Sequence, residues 1–433
     1  MLQKIAADIA AQGGRAFYVG GYVRDKLMNI ASDEGEDVDI EIFSLNLEQT
    51  QAILSRYGTI RLVGKSFPVL KINGHQKWDF TLPARPDLSY AEACARRDLT
   101  INSMMMDVLS GAIIDYYGGQ ADIAGHVIKH TCSDVFQDDP LRVYRAMHFA
   151  ARFEFSIHPE TMRLISATDL REVKRDRIYE EIKKMLLLAA RPSIGLRYMQ
   201  LAGILKRMHP LLFRLYTCRQ TPHHHPEGSV WEHTLLVVDE AARLKEQSSN
   251  PAALMFAALL HDIGKPQTSK NQGDKITTYG HDVLGAKLAR AFLEGLTHNQ
   301  TQIDAVTLLI KEHMRPVLLY KERQNVTDKA IRKLVNRVNL KELLLLAEAD
   351  FKGRGIDRDF EVIRQWFEDK LINLGLDPEK KLEPLVKGRD LQKLGIDPGP
   401  SYTPTLAYAF ERQLDGETKE AILDEIKRIN NLY

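Results

Sequence analysis

The sequence changes character near residue 138, and this change limits the fold more than any other feature. Up to about residue 135, segments that alternate apolar and polar residues stand between segments with helical spacing, and beyond it the spacing is almost entirely helical. A period of two residues is typical of half-buried strands, and a period of 3.6 residues is typical of amphipathic helices. We therefore predict an α+β protein: an N-terminal head with a mixed sheet and helices on one side, followed by all-α regions.

Length and composition narrow the class of protein. The 433 residues suffice for about three domains, and no apolar run approaches the ~20 residues that a transmembrane helix needs. The cysteines are widely scattered, at Cys94, Cys132 and Cys218, which favours a reducing cytoplasm and no zinc motif. The net charge of +1 gives no sign of a nucleic-acid partner, so any basic surface has to be local. We expect a cytoplasmic protein.

Two adjacent glycines mark the first candidate site. Gly20 and Gly21 lie between a predicted strand, AFYV, and a predicted helix, VRDKLMNI. Glycine lets the backbone approach a ligand closely, and a helix N-terminus favours phosphate. Arg24 on the helix can add a charge-assisted hydrogen bond. The segment is therefore a candidate for binding the phosphates of a nucleotide.

An alternating segment with two carboxylates follows. Asp37 and Asp39 alternate with Val38 and Ile40, so both carboxylates lie on one face of a predicted strand, about 6–7 Å apart. Mg²⁺ prefers oxygen ligands of this kind and leaves its other positions to water and phosphate. A tight turn and a solvated strand are the alternative for either segment alone. The two segments in this order favour a site for a metal ion and a triphosphate.

Histidine and aspartate recur on apolar helical segments in the second half of the chain. They follow a predicted linker, TPHHHPEGS at 221–229, whose run His223–His225 we interpret as a solvated turn. A lone buried histidine is most often a hydrogen-bonded core residue, but one metal ion can satisfy several converging imidazoles and carboxylates. The residues are His233, His261, Asp262, His281, His313 and Asp350.

The order of these residues, with HDIGK at 261–265, resembles the HD-domain metal-dependent phosphohydrolases. The resemblance implies four ligands for one metal ion, and two additional histidines like those of members that bind a second metal. The four are His233, His261, Asp262 and Asp350, and the two are His281 and His313. It also implies a divalent transition metal such as Mn²⁺, Ni²⁺ or Fe²⁺.

The first half resembles the class II tRNA nucleotidyltransferases and bacterial poly(A) polymerases in four motifs that occur in the family's order. These are GGYVRD with DVD, RRDLTINSM at 96–104, DYYGGQADIAGHVIK at 115–129 and DDPLRVYRAMHFAARFEF at 138–155. The resemblance covers about residues 16–210, and the HD segment extends it to about 355. Lys129 stands where arginine is usual, and Asp138 stands where glutamate is usual.

This resemblance assigns roles to residues of the head. Mg²⁺ on Asp37 and Asp39 would activate the tRNA 3′-hydroxyl and bind the leaving pyrophosphate. Asp98 and Asn102 would contact the ribose of the incoming nucleotide, and Asp79 is a weaker candidate for a third carboxylate. The full set of nucleotide-binding residues is Gly20, Gly21, Arg24, Asp98, Asn102, Asp139, Arg142 and Arg145.

Base selection is predicted to depend on Asp139 and Arg142. Because they are three residues apart, we expect them to share one helix face. A carboxylate accepts a hydrogen bond from an exocyclic amino group, and a guanidinium donates to a ring nitrogen or a carbonyl oxygen. The pair therefore suits CTP and ATP and rejects GTP and UTP without a nucleic-acid template. Outside this motif, an ordinary salt bridge would be the preferred interpretation.

We predict four regions along the chain. They are a nucleotidyltransferase head at 1–137, a helical neck and RNA-binding body at 138–221, an HD phosphohydrolase domain at 222–355 and a C-terminal helical tail at 356–433. The body is expected to bind the tRNA acceptor end through contacts to phosphates, with 170–184 as the candidate surface. Neither DNA nor a membrane is expected as a partner, and the oligomeric state stays open.

The predicted function is addition of CMP, and of AMP if ATP is used, to the tRNA 3′ end, with the HD site serving end repair. CCA-adding members of the family have a long flexible loop between the last head strand and RRD. Here only residues 83–95 lie between Leu82 and Arg96, which favours CC addition over full CCA addition. The alternatives are a bacterial poly(A) polymerase and an HD nucleotide phosphohydrolase with an inactive head.

Overall fold

The computed structural model describes residues 1–30, 38–64, 68–221, 228–272, 275–354 and 359–430. Asp37 and the predicted turn His223–His225 lie outside the described residues. The described chain divides into two compact units: Met1–Met185 with Ile194–Met208, and Leu186–Ser193 with His209–Tyr433. Within the described residues, no helix is long and apolar enough to cross a membrane.

The first unit contains a mixed sheet. Its strands in the described residues are β1 (Arg15–Val19), β2 (Val38–Phe43), β3 (Ile60–Val63), β4 (Val69–Ile72), β5 (His75–Thr81), β6 (Met105–Asp107) and β7 (Ile113–Ile114). Their order in the sheet is β3-β4-β5-β2-β1-β6-β7. β2 and β5 are parallel, and the other neighbours are antiparallel.

Helices flank this sheet and continue beyond it. They are α1 (Leu2–Ala11), α2 (Gly21–Leu27), α3 (Leu47–Leu54), α4 (Tyr90–Ala95), α5 (Gly119–Ala124), α6 (Val135–Asp138), α7 (Arg142–Phe153), α8 (Pro159–Ala167), α9 (Arg175–Leu188), α10 (Ser193–Leu201) and α11 (Ile204–Met208). Two short parallel strands, β8 (Val127–Ile128) and β9 (Ser156–Ile157), pair the segments before and after α7.

β2 supplies apolar side chains to both faces of the sheet, one set through its alternation and one through Phe43 at its end. Ile40 and Ile42 belong to a buried cluster with Ile9 of α1, as the period of two residues predicts. Phe43 points to the other face and packs in a second cluster with Cys94 of α4. The expectation that helices cover only one side of the sheet is therefore wrong, because α4 buries the second face.

The second unit is almost entirely helical. Its elements are α12 (Pro210–Thr217), α13 (Val230–Leu244), α14 (Pro251–Leu260), α15 (Lys265–Thr268), β10 (Lys270–Gln272), β11 (Lys275–Thr277), α16 (His281–Glu294), α17 (Gln300–Glu312), α18 (Arg315–Lys321), α19 (Asp328–Arg337), α20 (Leu340–Lys352), α21 (Glu361–Leu374), α22 (Gly388–Lys393), α23 (Tyr402–Asp415) and α24 (Lys419–Ile429). The predicted fold class, a mixed sheet with helices followed by helical regions, is confirmed, with the hairpin β10–β11 as a small addition.

α14 is the centre of the second unit. Its sequence PAALMFAALL is apolar on every side, and a helix of this kind is buried on all sides. It packs against α13, α17 and α20. Asn250 caps its first turn by accepting a hydrogen bond from the backbone N–H of Ala253. This central position places the residues that follow α14, starting with His261, inside the unit.

Candidate functional site

The turn between β1 and α2 contains the first candidate residues. Gly20 has a φ of +69°, a left-handed conformation that glycine adopts without strain. A Cβ atom at this position would lie 3.1 Å from Nη1 of Arg97 and 3.8 Å from Oδ2 of Asp39. The missing side chain therefore leaves room for a guanidinium and a carboxylate beside the backbone of the turn.

Asp39 occupies an exposed position on β2, next to Asp79 of β5 in the parallel register. Because neighbours in register point to the same face of a sheet, the two carboxylates share a face. Nζ of Lys71 lies 2.6 Å from Oδ1 of Asp79, so part of the charge of Asp79 is already neutralised. Among the described carboxylates of this face, Asp39 is the better candidate for a metal ligand.

Glu41 is a residue of this face that sequence reasoning missed. It lies two residues after Asp39, only 2% of its side chain is exposed, and it accepts hydrogen bonds from Nη2 of Arg96 at 3.0 Å and Nη2 of Arg97 at 3.1 Å. Because Arg97 also flanks Gly20, Glu41 orients a cation beside the turn. The signal was present as the third acid of the alternation DVDIE.

Four of the predicted nucleotide-binding residues form one hydrogen-bonded network. Nη1 of Arg24 donates to Oδ1 of Asn102 at 2.6 Å, and Nδ2 of Asn102 donates to Oδ1 of Asp98 at 3.0 Å. Nε of Arg145 donates to Oδ2 of Asp98 at 2.7 Å. Burial alone would raise the pKa of Asp98, but Arg145 and Asn102 outweigh burial and hold this pKa below its ordinary value. Asp98 is therefore a fixed, ionised acceptor.

Glu181 of α9 supports this network from behind Arg145. Burial opposes its ionisation, but hydrogen bonds from His148 and Lys184 lower the pKa of Glu181 to about 2. Burial lowers the pKa of His148 itself, despite a distance of 3.2 Å between its Nδ1 and Oε2 of Glu181. At neutral pH His148 is therefore a neutral donor, and the positive charge near Glu181 comes from Lys184 and Arg145.

The predicted helix face shared by Asp139 and Arg142 is wrong. α7 begins at Arg142, and Asp139 is extended, because Pro140 disfavours helical backbone at the residue before it. Asp139 accepts a hydrogen bond from Nη2 of Arg177 at 3.0 Å. Arg142 donates to two backbone carbonyls, from Nη1 to Val135 at 3.1 Å and from Nη2 to Arg96 at 2.7 Å. Each member of the pair thus has its own partners.

The histidines and aspartates of the second unit converge on one buried cluster. His233 lies on α13, His261 and Asp262 directly after α14, His281 at the start of α16, His313 directly after α17 and Asp350 on α20. None of these six residues is more than 6% exposed. The six residues that the sequence pattern singled out thus come from five segments and meet in one place. Their imidazoles and carboxylates are well suited to bind a metal ion.

Backbone carbonyls orient three of the imidazoles. Nδ1 of His261 lies 2.8 Å from the backbone oxygen of Ala258. Nδ1 of His281 lies 2.8 Å from that of Thr278, and Nδ1 of His313 lies 2.6 Å from that of Ile310. A carbonyl only accepts, so each neutral imidazole carries its proton on Nδ1 and directs the Nε2 lone pair into the cluster. Metal-binding histidines have this arrangement.

The ligand atoms fall into two groups that share Asp262. His233, His261 and Asp262 form one group, and Asp262, His281 and His313 form the other. Oδ2 of Asp262 lies 3.2 Å from Nε2 of His261, and Oδ1 lies 3.4 Å from Nε2 of His281, so each group receives one oxygen. Asp350 joins the first group, with Oδ1 3.0 Å from Nε2 of His233. The donor set would suit two divalent transition metals, with Asp262 offering one oxygen to each group.

Two cations accompany the carboxylates of this cluster. Nζ of Lys265 lies 2.6 Å from Oδ2 of Asp262, and Nη2 of Arg354 lies 2.9 Å from Oδ2 of Asp350. Burial opposes ionisation of both carboxyl groups, but His261 and Lys265 at Asp262, and Arg354 and His233 at Asp350, hold both pKa values well below the ordinary range. Both carboxylates are therefore ionised, as metal binding requires.

A cavity of about 210 Å³ opens onto the cluster, and its lining includes Asp262 and His281 together with Arg219, Lys265 and Arg354. Positive side chains around a candidate metal pair favour an anionic ligand. Lys265, Arg219 and Arg354 were not predicted as site residues, although Lys265 belongs to the HDIGK segment.

Gly264 allows α16 to approach the turn that follows Asp262. A Cβ atom on Gly264 would lie 2.2 Å from the backbone oxygen of His281 and 2.8 Å from the backbone nitrogen of Gly285. Such distances are excluded for real atoms, so only glycine fits at position 264. This contact brings His281 within reach of Asp262.

Comparisons with known proteins agree with this division of sites. Residues 75–129 match the poly A polymerase head domain family, residues 154–215 the family described as probable RNA and SrmB-binding site of polymerase A, and residues 230–350 the HD domain family. The multifunctional CCA protein of Aromatoleum aromaticum is 35% identical over 368 residues, covering 78% of this chain and 85% of that protein. The one of Methylococcus capsulatus is 31% identical over 418 residues, covering 88% and 93%.

The chain belongs to the multifunctional CCA protein family. The predicted resemblance to a class II tRNA nucleotidyltransferase with an HD domain is thereby confirmed. Solved structures share the fold: a CCA-adding enzyme of Bacillus stearothermophilus, solved with CTP, has a TM-score of 0.65 at 22% identity and covers 99% of this chain and 98% of its own. A CCA-adding enzyme of Thermotoga maritima, solved with tRNA, has a TM-score of 0.63 at 21% identity and covers 98% and 93%.

In this member of the multifunctional CCA proteins, the predicted RNA surface at 170–184 is rich in ion pairs. Arg171 pairs with Asp169, and Lys183 pairs with Glu180. Lys174 and Arg175 are exposed on the same segment. The segment therefore presents cations to solvent, and its role in binding RNA stays a prediction.

The connection between β5 and the RRD segment is short and structured. β5 ends at Thr81, and α4 begins at Tyr90 with a capping box between Ser89 and Glu92. Only residues 82–89 lie between the two elements. The short connection predicted from the sequence is thus present in the fold.

Proposed function

We propose that the protein is a tRNA nucleotidyltransferase that adds CMP, from CTP, to the tRNA 3′ end without a nucleic-acid template, at the site formed by the head. The observation that carries this proposal is the network of Arg24, Asn102, Asp98 and Arg145 next to the Gly20 turn. Its buried, ionised Asp98 and the Asn102 amide suit the hydroxyl groups of a ribose. The names of the multifunctional CCA relatives support the same activity.

The reaction is a phosphoryl transfer. The tRNA 3′-oxygen bonds to the α-phosphorus of the nucleotide, the bond from that phosphorus to the β-phosphate oxygen breaks, pyrophosphate leaves, and the hydroxyl proton passes to solvent. Mg²⁺, held by Asp39 and by Asp37 as the sequence predicts, would activate the hydroxyl and neutralise the leaving group. Arg97, oriented by Glu41 beside the turn, is suited to bind phosphate.

The short connection at 82–89 supports CC addition, because it leaves little chain to act as the flexible loop of CCA-adding members. The relatives' name, multifunctional CCA protein, supports complete CCA addition, for which ATP would be the second nucleotide substrate. Purified protein incubated with tRNA transcripts ending at the discriminator base, at C or at CC, and with each NTP alone, decides between them. Efficient AMP addition to the CC transcript would refute CC addition, and AMP addition in long tracts would indicate a poly(A) polymerase.

We further propose that the HD cluster hydrolyses phosphate esters, which would serve repair of tRNA 3′ ends. A water oxygen bonds to phosphorus, the ester P–O bond breaks, and the leaving oxygen takes a proton. His233, His261, Asp262 and Asp350, with His281 and His313, would hold Mn²⁺, Ni²⁺ or Fe²⁺, and such an ion would lower the pKa of a bound water. Assays with 2′,3′-cyclic nucleotides and 3′-phosphorylated RNA after adding Mn²⁺ or Ni²⁺ test this; no hydrolysis and no bound metal would refute it.

The four-region division, with a head at 1–137, a body at 138–221, an HD domain at 222–355 and a tail at 356–433, remains part of this proposal. The tRNA acceptor end is the proposed macromolecular partner, through phosphate contacts to the body, and the cytoplasm is the proposed location. An HD hydrolase with an inactive head is the less favoured alternative, because the network around Asp98 and the carboxylate of Asp39 are intact.

A further inference from the structure

Gln220 lines the cavity that opens onto the HD cluster, but it is not one of the candidate metal ligands. It lies between α12 and α13, and only 7% of it is exposed. Its neighbours are fixed, because Arg219 pairs with Ser229 in a β-bridge and Oγ1 of Thr221 accepts a hydrogen bond from the backbone N–H of Ile276 at 3.0 Å. The side chain of Gln220 is therefore held in the wall of the cavity.

Lys265 fixes the orientation of the Gln220 amide. Nζ of Lys265 lies 2.8 Å from Oε1 of Gln220, and an ammonium group only donates, so the amide oxygen has to face it. Nε2 of Gln220 then points away from Lys265. It is buried and has no hydrogen-bond partner among the described residues. A buried N–H group without an acceptor is unfavourable, and in the wall of a polar cavity it indicates an acceptor supplied by a ligand.

The remaining wall indicates which acceptor this is. Arg219, Lys265 and Arg354 place positive charge around the cavity, directly beside the candidate metal ligands. A phosphate group brings several acceptor oxygens and negative charge to such a wall. We infer that Nε2 of Gln220 donates a hydrogen bond to a phosphate oxygen of the ester bound in the cavity. The inference rests on the proposed HD hydrolase and adds a specificity residue to it.

Gln302 of α17 provides a matched control. It is 8% exposed, its Nε2 is also buried without a partner among the described residues, and it is absent from the lining of the cavity. A buried glutamine changed to methionine loses its polar atoms at nearly the same volume at either position. Any stability lost with the buried Nε2 is therefore common to Gln220→Met and Gln302→Met, and loss of the contact to Lys265 is reproduced by Lys265→Met. Of the two glutamine variants, only Gln220→Met is expected to lose phosphate binding.

The experiment compares the full-length wild type with Gln220→Met, Lys265→Met, the double variant and Gln302→Met, each loaded with Mn²⁺ and checked for equal metal content. Calorimetry measures the affinity for inorganic phosphate, and steady-state kinetics measures KM and kcat for a 2′,3′-cyclic nucleotide. We expect Gln220→Met to weaken phosphate binding and to raise KM by about tenfold, since hydrogen bonds to charged groups are strong. Because Lys265 and Gln220 are in direct contact, the factor should be smaller in the Lys265→Met background, where the ammonium group no longer fixes the direction of the amide.

Affinities of Gln220→Met within twofold of wild type would overturn the inference, as would an equal loss of phosphate affinity in Gln302→Met, because the loss would then follow from removing any buried amide. Absence of any phosphate binding by the Mn²⁺-loaded wild type would overturn it too. A wild type that binds phosphate in the cavity and hydrolyses no ester would refute the proposed hydrolase, while the calorimetric comparison still decides the role of Gln220.

Discussion

The side chains of the two candidate sites are held in place by different kinds of contact. In the HD cluster, the carbonyls that orient His261, His281 and His313 lie three residues earlier in the chain. In the head, Arg24 and Arg145 meet partners 78 and 47 residues away in sequence. Three of the four imidazoles in the metal cluster thus take their direction from backbone three residues away, whereas His233 meets Asp350 117 residues away. The nucleotide site depends on these contacts between residues distant in sequence.

The largest expected effect tests whether the two sites are independent. Asp39→Ala should lower nucleotide addition by roughly 10²–10³-fold, because it removes a ligand of the Mg²⁺ that would neutralise charge in the transition state, and should leave HD hydrolysis unchanged. Incorporation of labelled CMP into tRNA, measured beside Mn²⁺-dependent hydrolysis, checks both statements. Addition that persists near the wild-type rate would show that Asp39 is no metal ligand.

The reciprocal change is Asp262→Ala. We expect a loss of hydrolysis of at least about 10²-fold together with loss of metal from both ligand groups, since Asp262 offers one oxygen to each. His281→Ala touches one group and should retain part of the metal. Metal analysis of the purified proteins, with CMP addition as the control for folding, makes the test. Equal metal content in Asp262→Ala and wild type would contradict the shared role.

A smaller effect is expected from Arg142→Ala. Rejection of UTP and GTP should fall by at least about tenfold, with less change in the KM for CTP, because a site built for hydrogen bonds loses discrimination when a donor is removed. Arg177→Ala is the matched control, since it removes the partner of Asp139 and leaves Arg142 in place. If Arg142→Ala rejects the wrong nucleotides as well as wild type does, the base-selecting role is wrong.

The smallest effect concerns stability. A carboxyl group whose folded pKa lies below its unfolded value stabilises the fold above the unfolded value, and this contribution is lost as the pH falls through the folded value. For Glu181 the window runs from 4.5 down to about 2. Glu181→Gln should therefore remove about 1–3 kcal/mol from the acid-dependent change in unfolding free energy. Urea titrations between these pH values measure it, and Glu180→Gln, exposed on the same helix, should behave as wild type.

The sequence was informative where function follows local spacing. The alternation of β2, the apolar centre of α14 and the order of the six metal-binding candidates all follow from patterns within a few residues. It failed at Asp139 and Arg142, because a spacing of three was read as helical although Pro140 lies between them. It could not supply the partners of Glu41 or Gln220, since Arg97 and Lys265 reach them only through the tertiary fold.

The close contact between Gly264 and α16 shows that having the metal ligands is not the same as having a metal site. Gly264 has no side chain that could bind a metal, yet the space it leaves decides how near His281 comes to Asp262. A descendant of this chain could keep all six ligand residues and still lose the second metal through a single added methyl group. A count of ligand residues in aligned sequences would class such a protein as binding two metals, so Gly264 belongs in any signature used to recognise the metal pair.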